Sequence, residues 1–172
     1  GEVLLNYGSV EFLGPYVDIV STAALVLSGF TFAWLLLWRL RARRFEAHTV
    51  AEAAFVAVLM FTTTSRVISP QYMVWLVGLA AVCLCFRESR MRLPVALVLA
   101  ACLATVLEFP VWFSHVVASD GLGVTLLFLR NGLLVLATVL AARVLWRSTV
   151  IRPASVAVPA QPTRPRETSL PS

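Results

Sequence analysis

The sequence predicts an all-α fold: a polytopic integral membrane helix bundle of about five transmembrane helices, N-terminus outside and C-terminus inside. Three observations carry that reading. Of 172 residues, 59% are hydrophobic and only 13% are charged. Mean hydropathy is +0.85, more apolar than a soluble domain of this size, which must clothe its core in polar side chains. The arginines stand between the apolar runs and are not gathered on one face, which fits membrane topology better than nucleic-acid binding.

The elements follow in order. Residues 1–16 are read as an external segment. A helix needs about 20 apolar residues to cross the bilayer core, and five runs approach that length: 17–38, 47–64, 70–86, 93–113 and 124–146. Arg39, Arg41, Arg43 and Arg44 follow the first run, Arg87, Arg90 and Arg92 the third, and Arg147, Arg152, Arg164 and Arg166 the fifth. With five spans these eleven fall on one side and Arg66 alone on the other, so the positive-inside rule makes the three groups cytoplasmic. Residues 147–172 hold Pro153, Pro159, Pro162, Pro165 and Pro171 among Ser, Thr, Ala and Arg. That composition buries no core and predicts a disordered cytoplasmic tail. The chain begins without Met or a signal peptide, on the external side, which reads as the C-terminal part of a longer polytopic protein.

Several kinds of chemistry are excluded by residue type. All 14 basic residues are arginine, which removes a Walker A lysine, a Schiff-base lysine and a Ser-x-x-Lys nucleophile. Asp18 and Asp120 are the only aspartates and are too far apart for a D-x-D metal site. No metal site and no cofactor is expected. Cys83, Cys85 and Cys102 lie in apolar runs and read as packed, reduced thiols.

The most informative stretch is Thr62 to Leu76. Ser69 suits an N-cap and Pro70 the first helical position, so the third span is expected to begin there. From Pro70 to Phe86 it has 17 residues, about 25 Å of helix, short of the roughly 30 Å core. Its start can therefore lie below the membrane surface, its free N–H groups facing a protein-lined cavity. Such a helix start suits an anion such as phosphate. Arg66 precedes it, and Ser69, Gln71 and Tyr72 add hydrogen-bonding groups. The plainer alternative is a capped helix end with Arg66 reaching for headgroups and Tyr72 as an interface anchor.

Arg66-Val67-Ile68-Ser69-Pro70-Gln71-Tyr72-Met73-Val74-Trp75-Leu76 resembles the basic-x-x-Ser-Pro-Gln-Tyr-x-x-Trp-Leu stretch of actinobacterial GT-C membrane glycosyltransferases. Glycosyltransferase family 87, the polyprenyl-phosphate-mannose-dependent α-(1→2)-mannosyltransferase type, is the family it looks most like. Asn6 to Pro15 is similar to the external stretch before a late span in such proteins. The resemblance implies a hexosyltransferase of the plasma membrane. It would move a hexose, mannose in the family, from a polyprenyl-phosphate donor to an envelope glycolipid or glycan at the external face. It implies a donor-phosphate site at Arg66, Ser69, Gln71 and Tyr72. The family's catalytic carboxylate lies in a first external loop that has no counterpart here, so the missing N-terminal part would be a partner. The alternative is a non-enzymatic small membrane protein, subunit or transporter fragment in which Ser-Pro-Gln-Tyr is only a hinge.

Other polar residues within the runs need partners. Glu108 and Arg130 fall at similar depth on the fourth and fifth spans and are expected to pair or to line a cavity, since an isolated charge there is costly. Glu52 is expected to be neutralised by Arg44 or by His48, one helical turn away. His115 shares an external loop with Asp120 and is the one candidate for a general base.

Overall fold

The computed structural model describes residues 2–6, 9–13, 16–65, 71–118 and 120–151. Two short strands, β1 (Glu2–Asn6) and β2 (Ser9–Leu13), pair antiparallel with Asn6 opposite Ser9 and Glu2 opposite Leu13. Helices follow: α1 (Val17–Arg41), α2 (Ala47–Thr64), α3 (Gln71–Cys85), α4 (Arg92–Val106), a short α5 (Phe113–Val117) and α6 (Gly121–Thr149). The chain is an all-α helix bundle with one small hairpin. Among the described residues, four segments are long and apolar enough to cross a membrane: α1, α2, Arg92–Phe109 and α6; α3 is also apolar but has 15 residues. These helices give the chain the character of a multi-pass membrane protein.

Each packed helix buries one stripe. On α3 it is Met73, Leu76, Ala80 and Cys83; on α4 it is Val95, Val98, Ala101 and Thr105. Both follow the three- and four-residue spacing that keeps side chains on one helix face. α6 is the hub, packed against α2 and α4. Its buried Ala137, Ala141 and Ala142 and the facing Ala101 and Ala104 let backbones approach closely, as small residues do where lipid removes the hydrophobic drive between helices. α1 packs along α2 and buries only Trp38. Its other faces carry Ile19, Leu25, Phe30, Phe32 and Leu36 outward, a surface that only lipid or protein can cover. Hydroxyls inside the bundle bond to their own helix: Thr62 donates to the Val58 carbonyl, Thr64 to Met60 and Thr105 to Ala101. This lets threonines lie among apolar neighbours without orphaned donors.

The fourth span departs from its expected extent of 93–113. Phe109 has extended backbone (φ −140°, ψ 112°) inside a wide turn at Leu107–Val111, and the Trp112 N–H reaches back to the Leu107 carbonyl. The cause is Pro110, which removes a donor and drives the residue before it out of helical geometry. The span thus ends near Glu108, and α5 is a separate turn. Residues 2–6 and 9–13, read from sequence only as part of an external segment, pair as two antiparallel strands. The tail from 152 onward lies outside the described residues.

The arginine-rich segments meet at one end of the bundle. The Arg43 N–H donates to the Thr149 carbonyl, tying the α1–α2 connection to the end of α6. Trp38 Nε1 donates to Thr149 Oγ1 at 2.9 Å. Ser89 Oγ donates to Glu52 Oε1 at 2.8 Å, and the Arg90 N–H donates to the same oxygen at 3.3 Å. Glu52 is therefore held by the α3–α4 connection. Neither Arg44 nor His48 pairs with it within 4.0 Å: His48 lies instead beside Glu46, and Glu52 Oε2 is left without a hydrogen-bond partner.

Candidate functional site

Toward the opposite end lie Gln71, Tyr72, Glu108, His115 and Arg130. Among the described residues, α2 ends well short of α1 and α6 there. Ser28 Oγ on α1 lies 3.3 Å from both the carbonyl and Oγ1 of Thr64. Thr138 Oγ1 on α6 donates to Thr63 Oγ1 at 3.4 Å. The end of α2 thus meets the middle of α1 and of α6. From that level α1 runs a further eleven residues to Val17, about 16 Å of helix. α6 runs a further seventeen to Gly121, about 25 Å. The first turn of α3 shares the level, since Tyr72 packs against Phe61 with ring centroids 6.3 Å apart.

Gln71 and Tyr72 open α3. Gln71 is exposed, while Tyr72 is half-buried between Phe61 and Trp75, the latter ring 5.2 Å away. Arg66 and Ser69 lie outside the described residues, so the expected donor-phosphate set is represented by Gln71 and Tyr72 alone.

Glu108 and Arg130 are brought together. Arg130 Nη1 donates to Glu108 Oε1 at 3.2 Å and lies 3.0 Å from Oε2, which receives no hydrogen bond of its own. Arg130 Nε donates to Asn131 Oδ1. Both charged side chains are almost wholly buried, 6% and 11% exposed. Arg130 lies two turns beyond Thr138 on α6, so the pair stands past the end of α2, in the wall formed by α4 and α6. Pro110 contributes by ending the helix just after Glu108.

His115 is joined to Asp120, its Nδ1 against Oδ2. Asp120 Oδ1 accepts from the Gly123 N–H at 2.9 Å and caps α6. The Gly123 N–H and then the His115 contact hold the Asp120 carboxyl below its ordinary value. The arrangement fixes the imidazole through Nδ1 and leaves Nε2 unused among the described residues, with the side chain 43% exposed. A carboxylate-oriented histidine with one open nitrogen can accept a proton. Sequence reading placed both residues in one loop but not their contact. The signal was there: Asp120 precedes an apolar run, the position of an N-cap.

Among the described residues no group of three or more His, Cys, Asp or Glu side chains is arranged to hold a metal. Comparison with family models, with curated proteins and with solved structures finds no match for this chain.

Proposed function

We propose that the chain is the C-terminal membrane part of a GT-C type glycosyltransferase. It would serve transfer of a hexose, mannose by resemblance to family 87, from a polyprenyl-phosphate donor to an envelope glycolipid or glycan at the external face of the plasma membrane. The observation that carries the reading is the level at which α2 ends: Thr64 meets Ser28 on α1, Thr63 meets Thr138 on α6, and Tyr72 in the first described turn of α3 packs against Phe61. A helix N-terminus at that level can meet a lipid-borne phosphate inside the bundle. Arg66, Ser69, Gln71 and Tyr72 are the residues assigned to that phosphate. The acceptor hydroxyl would lose its proton to a carboxylate in the missing N-terminal part. Within this chain, His115 Nε2 is the group best arranged to share that duty.

The test is donor kinetics of the full-length enzyme carrying Arg66→Ala. An Arg–phosphate contact is charge-assisted and often bidentate, so the variant should raise donor KM while inserting normally, and Arg66→Lys should recover it only in part. Unchanged KM and kcat would remove Arg66 from the site. The reading of a small non-enzymatic membrane protein would gain if the genomic frame opened with a start codon directly before Gly1.

A further inference from the structure

At the arginine-rich end, remote from the site above, the bundle has an amphiphilic cleft. A cavity of about 450 Å³ is lined by Arg44, Arg90, Arg147, Glu46, Glu52 and Glu88, among others. Its acids are only partly engaged: Glu88 is exposed and, among the described residues, has no cation within 4.0 Å, and Glu52 Oε2 has no hydrogen-bond partner. Glu52 accepts from Ser89 and from the Arg90 N–H. Glu46 caps α2 and lies 3.6 Å from His48 Nδ1. Among the described residues, none of its arginines Arg44, Arg90 and Arg147 has a carboxylate oxygen within 4.0 Å. They come from three separate segments, the α1–α2 connection, the α3–α4 connection and the end of α6.

Arg147 and Ile151 also line a second cavity, a mostly apolar groove of about 360 Å³ among α1, α2 and α6, which Arg143 lines as well. Trp34 and Trp146 wall it, 6.0 Å apart, with Val139 and Ala142 along α6. From Thr138 to Arg147 the groove follows nine residues of α6, about 13 Å. The tryptophans mark the level of a membrane interface. The arginine-bearing cleft therefore sits at headgroup height beside a furrow running toward the membrane interior, with Arg147 and Ile151 lining both.

We propose that this end binds an anionic phospholipid, its phosphate between Arg44, Arg90 and Arg147 and one acyl chain in the Trp34–Trp146 groove. A phosphate completes three cationic side chains that, among the described residues, have no carboxylate oxygen within 4.0 Å, and basic pockets between helices favour such headgroups. The groove distinguishes a lipid from a free anion.

Native mass spectrometry of the detergent-purified chain tests it, with phosphatidylglycerol or phosphatidylcholine added. Phosphatidylglycerol should be retained at least tenfold better. Arg90→Gln and Arg147→Gln should each weaken retention roughly fivefold, the effect of about one basic residue near an anionic lipid. Both side chains are exposed, so neither change threatens the fold. Arg87→Gln, at the same end but outside the cleft, should change nothing. Val139→Trp should fill the groove and abolish retention with every arginine in place. Equal retention of the two lipids would overturn the proposal. So would an Arg87→Gln loss equal to that of Arg90→Gln, which would mean diffuse attraction. Unchanged retention in Val139→Trp with displacement by inorganic phosphate would leave a free-anion site and no lipid site.

Discussion

Arg130 Nη1 lies 3.0 Å and 3.2 Å from the two carboxylate oxygens of Glu108, joining α6 to the end of α4 between two nearly buried side chains. One nitrogen serves both oxygens, and only Oε1 receives a well-directed hydrogen bond. The pair is therefore a tether between helices whose strength depends on both members being present.

Removing one member should be severe. Glu108→Gln or Arg130→Gln leaves the other charge buried and unpaired, which costs about 3–5 kcal/mol. Replacing both together, Glu108→Leu with Arg130→Met, should cost much less than the sum of the singles, because no charge is stranded. Thermal unfolding in detergent, arranged as a double-mutant cycle, reads this directly. Additive losses would mean the contact contributes no coupling.

Glu52 invites a parallel test at the other end. It is 1% exposed, and Ser89 Oγ is its side-chain donor. Ser89→Ala removes that donor, and Ser89 Oγ also accepts from the Met91 N–H at 3.3 Å. The loss of a buried partner costs about 1–3 kcal/mol. The variant should lower the unfolding midpoint and speed amide exchange across residues 86–91. A change confined to the midpoint would mean that Glu52 does not order this connection.

The longer helices were legible because each is an apolar run with arginine or proline at one end at least, a signal carried by composition. Partners were legible only where depth alone decided them. Glu108 and Arg130 stand at equal depth on consecutive spans, so sequence could name both. Glu52 was given to Arg44 or His48 because those are near in sequence. Its donors, Ser89 and Arg90, come from another connection that only packing brings near. The break at Pro110 was readable in principle, since Phe109 precedes a proline, but the apolar run continues through it and hides it. The paired strands Glu2–Asn6 and Ser9–Leu13 have five residues each, too short to announce a sheet by periodicity. Arg66 and Ser69, on which the donor-site reading rests, remain a matter of sequence.

Topology is the next expectation. The arginine-rich segments share one end of the bundle, and the positive-inside rule turns that end to the cytoplasm. A single cysteine at Gly8 should then react with a membrane-impermeant maleimide on intact cells, and one at Ala160 only after permeabilisation. The native cysteines would first be replaced by alanine. The reverse pattern would invert the bundle, and the proposed transfer face with it.

The His115–Asp120 pair makes an expectation about pH. Asp120 caps α6 through the Gly123 N–H, and that hydrogen bond together with His115 holds its carboxyl below the ordinary value. A carboxyl depressed in the fold stabilises it above the unfolded value, near 3.9 for aspartate, and loses that contribution as pH falls through the lower folded value. Protection of the Gly123 amide, corrected for intrinsic exchange, should thus hold steady from neutral pH to about 4 and decline below it. Asp120→Asn keeps a capping oxygen without a titrating group, so protection should persist and its dependence on pH should vanish. Asp120→Ala removes the acceptor, and protection should be low at every pH. If the alanine variant exchanged like the wild type, the first turn of α6 would not depend on Asp120, and the carboxylate could not be what orients His115 for proton transfer.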